Sequence, residues 1–329
     1  MSAEPEGETM IVDIHAHYSP REYNETLLRI GGRSLPEAAR PATQRPLRHD
    51  GPEGVPERLA RMDDAGVQMQ VLSPAASPPY AEKLEDAVEA ASVINDAYAG
   101  LMQQHPERLG AFVSLPLPHI DASLREIERG LDQLGMLGVT INCSVFDRSA
   151  AEEEFEPVYA ELDRRGAVLF YHPVQNGLCS PLINDYRYTV PVGASLEDMA
   201  IVLHLIARRI PSRFPNIKYV VPHLGGMIPM QLARLDAQGA QQHPDITEAP
   251  SVTARRLYYD TVCYGSQAAF TCAYMAFGAE HLVTGSDYPV LMSFESYKRT
   301  FEYIRESSLP AADIDLILNH NSQRVLGLE

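Results

Sequence analysis

The first residues in the chain able to do chemistry together are His15 and His17, in the run Asp13-Ile14-His15-Ala16-His17 that closes an apolar stretch beginning at Met10. Residues two apart on a strand face the same side, so the two imidazoles are expected to point together. Two neutral imidazoles aimed at one point make half of a zinc-type metal site. Three more residues of ligand or proton-transfer type follow later apolar runs in the same way. His172 follows Val168-Leu169-Phe170-Tyr171, His223 follows Tyr219-Val220-Val221-Pro222, and Asp287 follows Thr284-Gly285-Ser286. Each alone has an ordinary explanation as a cap or a satisfied core side chain. Separate strand ends that supply only His and Asp are much harder to assign to chance. By the same alternation Asp13 should share the strand face of His15, where it either orients that imidazole or is a buried acid satisfied by backbone donors.

Eight short apolar runs are expected to be the strands that position these residues: Met10–Ile14, Met69–Ser73, Ala111–Leu115, Gly138–Asn142, Ala167–Tyr171, Ile217–Val221, Leu257–Thr261 and His281–Gly285. They are continuous rather than alternating, as parallel strands covered on both faces require. Helical spacing fills the intervals, over Glu82–Gln104, Asp121–Leu134, Glu153–Arg165 and Leu196–Arg209. Eight strand–helix units predict a (β/α)₈ TIM barrel, a fold that places its chemistry at the C-terminal strand ends. No GxGxxG or GxxxxGK[ST] loop follows the first strand, which removes the usual reason to prefer a doubly wound sheet. The expected organisation is one barrel domain over residues 1–329, with residues 18–68 as a lid or excursion after the first strand; a loop that long inside a compact domain usually covers a site.

With 27 basic and 44 acidic residues the formal net charge is −17. That charge disfavours nucleic-acid phosphates and anionic membrane surfaces as partners. It also repels an anionic substrate at long range, so a carboxylate would need a metal ion or local arginines to capture it. Cys143, Cys179, Cys263 and Cys272 form no CxxC pair, which argues against a disulfide framework or a cysteine-based zinc site. The acidic start Met1–Thr9 is unlike a signal peptide, and no apolar run reaches membrane-spanning length. The expectation is a cytoplasmic protein.

Several stretches together resemble the amidohydrolase superfamily, and within it the branch of 2-amino-3-carboxymuconate 6-semialdehyde decarboxylase. They are IVDIHAH, ERLARMDDAGVQMQVLS, ERLGAFVSLPL, FEPVYAEL, LFYHP, SRFPNIKYVVPHLGG, VTGSDYP and NSQRVLGL, in order over nearly the whole chain. The resemblance implies that His15, His17, His172 and Asp287 are metal ligands and that His223 is the catalytic histidine. Asp287 would serve as ligand and as proton shuttle. Arg48, a loose match in the first long loop, and Arg234 correspond to arginines that bind the substrate carboxylate, one or both across a homodimer interface. The fourth strand ends Thr140-Ile141-Asn142 rather than on the lysine that is carbamylated in binuclear members, so one divalent ion is expected. Three histidines and a carboxylate put zinc first and manganese second. The function implied is non-oxidative decarboxylation of a small unsaturated or aromatic carboxylate. Hydrolysis of a lactone, amide or C–C bond, or hydration of a double bond, uses the same ligand set and stays open. The chain departs from that branch in having no tryptophan, and in the stretch Val174–Val190, where Tyr186, Arg187 and Tyr188 either line a pocket or sit on a solvated loop.

Overall fold

A computed structural model of the chain describes residues 10–30, 54–243, 246 and 248–328. Its strands are β1 (Ile11–His17), β2 (Val67–Ser73), β3 (Leu109–Ser114), β4 (Gly138–Asn142), β5 (Ser144–Val145), β6 (Arg148–Ser149), β7 (Val168–His172), β8 (Lys218–Val221), β9 (Tyr258–Asp260) and β10 (Leu282–Val283). Eight of them form one parallel sheet in the order β1-β2-β3-β4-β7-β8-β9-β10, and β5–β6 is a small antiparallel hairpin beyond β4. The backbone joins the two ends of the sheet, with Ile14 N donating to Thr284 O at 2.9 Å and His17 N to Tyr288 O at 2.7 Å. The sheet is therefore a closed barrel. All eight expected strands are present in order and in the expected places.

The apolar runs are continuous because each strand packs on two sides. Val12, Ile14, Val71, Phe112, Val168, Phe170, Val220 and Val283 form an inner cluster, with Val325 and Leu326 of the last helix packed against it. Ile11, Ala16, Leu72, Leu169, Tyr171, Tyr219 and Val221 belong to the larger cluster between the strands and the helices. The four expected helical stretches are helical, with two refinements. The second ends in a π-helical turn over Arg129–Gln133, and the third begins with a 3₁₀ turn over Glu153–Phe155.

Strand β1 carries a local irregularity that decides where the first two histidines point. Asp13 pairs with Gln70 and Ala16 with Leu72, so three steps on β1 oppose two on β2. An extra residue of this kind is a β-bulge, and it resets the in–out alternation. Val12 and Ile14 point into the inner cluster before it. After it, His15 stands against the inner ring of Phe170, with centroids 5.0 Å apart. Asp13 is left on the other side with Gln70 and Tyr297. The expectation that Asp13 shares the face of His15 is thus corrected, because simple alternation does not survive the bulge.

Of the long connection after β1, two helices are described, Arg21–Arg29 and Val55–Ala65. The second sends Arg58 into the core, where it is 1% exposed. Its guanidinium donates to the His17 carbonyl at 2.7 Å and to Gln70 Oε1, and lies 4.5 Å from the centre of the Tyr288 ring. Arg48 and the proposed lid segment around it lie outside the described residues.

Candidate metal centre

The C-terminal ends of β1, β7 and β10 bring four ligand-type side chains together. One ligand atom from each of His15, His17, His172 and Asp287 lies within 4.8 Å of all the others, and all four residues are buried. His15 Nε2 and His17 Nε2 are 3.0 Å apart, and Asp287 Oδ1 is 2.8 Å from His17 Nε2 and 3.5 Å from His15 Nε2. Two ligands bonded at ~2.0–2.1 Å to one ion at a tetrahedral angle would stand ~3.3 Å apart, so these spacings suit a shared ion.

The outer nitrogen of each imidazole is already used. His15 Nδ1–H donates to Asp260 Oδ2 at 2.6 Å, since a carboxylate can only accept. His172 Nδ1–H donates to the Pro173 carbonyl at 2.8 Å, and His17 Nδ1 is 3.1 Å from Ser73 Oγ. The first two bonds fix the tautomers of His15 and His172 and leave their Nε2 lone pairs facing inward. His172 Nε2 is buried there without a hydrogen-bond partner. A buried polar atom left orphaned is costly unless something else satisfies it. Burial holds both His15 and His172 well below the usual imidazole value, so both are neutral and ready to ligate near neutrality. The donor set fits a divalent ion, and it is the one cluster of its kind among the described residues.

His223 stands beside this cluster, at the turn after β8. Its Nδ1–H donates to Asp198 Oδ2 at 2.8 Å, and its Nε2 is 3.9 Å from Asp287 Oδ2. Burial pulls its pKa down, but the charge of Asp198 and the hydrogen bond to it outweigh burial and hold His223 well above the ordinary value. Asp287 is held well below the usual carboxylate range: burial raises it, and His17, His223 and His15 more than offset that. His223 and Asp287 both sit at positive φ, 52° and 54°. Left-handed backbone at non-glycine residues stores strain that the surroundings must hold. Here Asp260 Oδ1 accepts from His223 N at 2.8 Å, and the His15 carbonyl accepts from Asp287 N at 2.8 Å. Gly285 lets these strand ends approach, since a Cβ there would meet the Cβ atoms of His15 at 2.9 Å and Asp260 at 3.0 Å.

The five expected histidine and aspartate residues therefore converge. Position four of the barrel carries Asn142, as expected in place of a lysine, and its side-chain amide donates to the Ala75 and Pro173 carbonyls. Of the expected arginines, Arg48 lies outside the described residues and Arg234 does not join the cluster. Arg234 is exposed on the helix Ile228–Gln242 and has no hydrogen-bond or ion-pair partner among the described residues, while nearby Asp236 accepts from Ser251 N instead. Tyr186, Arg187 and Tyr188 are exposed on the loop after β7, the solvated alternative.

Two residues that orient the site were not singled out from sequence. Asp260, at the end of β9, was visible only as one more acid at a strand end. Asp198 lies in the helix Gly193–Ala207, where no local pattern marks it. Both are completely buried, and burial pushes Asp260 up to about 7 and Asp198 to about 6. Asp13, by contrast, accepts from Ser286 N and Oγ, Gln70 Nε2 and the Tyr297 hydroxyl beneath the site.

The barrel and this cluster define a metal-dependent α/β-barrel class, and the comparisons with known proteins agree. The amidohydrolase family model matches residues 12–328, and the chain belongs to that family. A 2-amino-3-carboxymuconate-6-semialdehyde decarboxylase of Dictyostelium discoideum is 25% identical over 281 residues, 83% of this chain and 76% of that protein. A 6-methylsalicylic acid decarboxylase of Penicillium expansum is 26% identical over 317 residues, covering 90% and 91%. Among solved structures, a dihydroxybenzoic acid decarboxylase from a Polaromonas species, with bound manganese and the inhibitor 2-nitroresorcinol, superimposes with a TM-score of 0.79 at 20% identity, covering 97% of each chain.

Proposed function

We propose that this protein is a metal-dependent, non-oxidative decarboxylase of a small aromatic or unsaturated carboxylate, with one divalent ion held by His15, His17, His172 and Asp287. The observation that carries the reading is the converging set of four ligand atoms with His223, hydrogen-bonded to Asp198, directly beside it. A bound ion would supply positive charge that grips substrate oxygens and stabilises the electron pair left on carbon. Three nitrogen donors and one carboxylate favour zinc, and manganese is the second choice, supported by its presence in the Polaromonas relative.

In the proposed reaction the C–C bond to the carboxylate breaks, carbon dioxide leaves, and the electron pair stays on the ring or chain carbon. That carbon must gain one proton. His223 Nε2 holds it, and Asp287 Oδ2, 3.9 Å away, lies on the route by which it reaches the substrate. Asp198 stabilises the imidazolium before transfer and fixes its orientation during it. A cavity of about 600 Å³, lined by Tyr80, Pro118, Phe146, Arg148, Val174 and Asn176 among others, opens on loops following β2, β3, β4 and β7. Its size suits a single-ring substrate, and it lies beside the centre rather than on it, since neither the four ligand residues nor His223 lines it.

Arg48 and Arg234 are proposed as carboxylate contacts, one or both of them supplied by the partner chain of a homodimer. The four cysteines are all free, which supports a reducing, cytoplasmic setting; no helix among the described residues is long and apolar enough to cross a membrane.

The test is product analysis with zinc- or manganese-loaded protein, using 6-methylsalicylate and dihydroxybenzoates in deuterium oxide. Carbon dioxide release with one deuterium at the vacated carbon is expected. Turnover of lactone or amide substrates, with none of the carboxylates losing carbon dioxide, would make the chain a hydrolase instead.

A further inference from the structure

On the β7 side of the centre, the loop that follows His172 closes around a buried carboxylate. Glu197 is 2% exposed and sits next to Asp198 in the helix Gly193–Ala207. Its two oxygens accept four consecutive backbone N–H groups from the loop that follows His172. Oε2 takes those of Val174 at 2.6 Å and Gln175 at 3.1 Å, and Oε1 takes those of Asn176 at 2.7 Å and Gly177 at 2.9 Å. The backbone is shaped for this. Gln175, Asn176 and Gly177 have φ of 63°, −102° and 57°. Such alternation of hand turns successive N–H groups to one side and makes an anion-binding nest. Gln175 adopts a conformation that costs a side-chain-bearing residue, and the loop keeps it because the carboxylate gathers the N–H groups.

This loop begins at Pro173, whose carbonyl accepts the Nδ1–H of His172. The direction of that carbonyl sets the tautomer and the ring orientation of His172, and so the aim of Nε2. Asn142 donates to the same carbonyl at 3.3 Å from the β4 side. One peptide further on, Glu197 is the acceptor of the N–H groups of residues 174–177 among the described residues. Burial raises the Glu197 carboxyl, the N–H groups of Gly177, Val174 and Asn176 offset part of that, and the neighbouring charge of Asp198 adds to it, leaving the group at about 7. Four donors with no acceptor among them leave little place for a carboxyl proton.

We infer that Glu197 is a positioning residue for metal binding: as an anion seated in the 174–177 nest, it fixes the Pro173 carbonyl and through it the His172 ligand. The inference rests on the proposed ligand set. A purely space-filling side chain here would be replaced by glutamine without consequence, because the two have nearly the same shape. An anionic anchor would not, because the glutamine amide turns an NH₂ group towards backbone N–H donors.

The test measures zinc affinity directly, by titrating metal-free protein in competition with a chromophoric chelator, for wild type, Glu197→Gln, Glu197→Ala and His172→Ala. Near-ultraviolet circular dichroism reports whether each variant is folded. Glu197→Gln and Glu197→Ala are expected to bind zinc about 10–100-fold more weakly than wild type, the usual effect of losing a partner one step behind a ligand. Glu197→Ala removes a fragment the size of acetate, so added acetate should refill the nest and recover most of the affinity in that variant while leaving wild type unchanged. Wild-type affinity in folded Glu197→Gln overturns the inference alone. So does a loss in folded Glu197→Ala that acetate cannot reverse. If Glu197→Ala does not fold, the glutamine variant decides. A wild type that binds no zinc, or binds it equally well after His172→Ala, overturns the ligand set and this inference with it.

Discussion

His172 and His223 end neighbouring strands, yet their surroundings prepare them for opposite work. His172 gives its Nδ1–H to a neutral carbonyl and is kept uncharged by burial. His223 gives its Nδ1–H to a buried carboxylate that favours the charged ring. On the proposed reading the first is a ligand and the second a proton donor. His172→Ala should therefore lower metal content, measured by elemental analysis of purified protein. His223→Ala should keep the metal and lower turnover by about 10²–10⁴-fold, the usual weight of a general acid or base. Loss of metal in the His223 variant would make it a ligand and end the distinction. Asp198→Asn should shift the balance at His223 alone: metal content unchanged, turnover reduced, and the His223 imidazole titrating lower by NMR. The sign follows from the cause, since removing the negative partner removes what holds the charged ring above its ordinary value.

How much of this was legible in the sequence differs residue by residue. His15, His17, His172, His223 and Asp287 stand out because each closes an apolar run, where a polar side chain needs an explanation. Asp260 closes a run too, but one acid at a strand end has many ordinary explanations. Asp198 and Glu197 lie in a helix whose other buried residues include Ile201, Val202 and Leu205. Only tertiary packing reveals that these two acids face polar groups of two different loops. Their partners are backbone N–H groups and a histidine 20 or more residues away, beyond any local pattern.

At the scale of the elements, continuous apolar runs located all eight barrel strands because burial on both faces leaves a strong sequence signature. What that signature could not carry was the β1 bulge. One inserted residue sends His15 inward and Asp13 outward, reversing the sharing of a face that alternation implies. The turn after β8 is a second place where backbone conformation decides. His223, Leu224, Gly225 and Gly226 all have positive φ, and a Cβ on Gly226 would lie 2.0 Å from the Ser195 carbonyl oxygen. Ser195 belongs to the helix that carries Asp198, so a clash there separates His223 from its partner. Gly226→Ala is expected to destabilise the protein by at least about 1–3 kcal/mol, from strained backbone and a contact with no soft neighbour. Thermal unfolding should show a lower midpoint, and turnover should fall further than stability alone explains. A variant with wild-type melting and activity would mean that the turn tolerates a side chain after all.

At the scale of the whole molecule, the proposed carboxylate substrate would have to be captured by a chain of net charge −17. A planar guanidinium suits that task, since it donates two parallel hydrogen bonds to a carboxylate. Arg234 is exposed and unpaired among the described residues, on the helix that leaves the His223 turn. An arginine that leaves its own acidic surface unpaired is available to a second copy of the chain. If Arg234 serves a partner's site, two defective chains can repair each other. Arg234→Ala keeps its metal but lacks the arginine it lends, and His172→Ala keeps the arginine but has a damaged metal centre. In a mixed dimer the intact metal centre of the first chain receives the arginine of the second. Random re-pairing of equal amounts gives about half mixed dimers, each with one restored site in two, so about a quarter of wild-type activity should return. Each variant alone should stay low, with Arg234→Ala showing a raised KM and full metal content. No recovery after subunit exchange has been demonstrated by mass-tagged chains would place Arg234 in its own chain's site. Unchanged kinetics in Arg234→Ala would remove it from substrate binding, and Arg48 would then carry the role in the same mixing experiment.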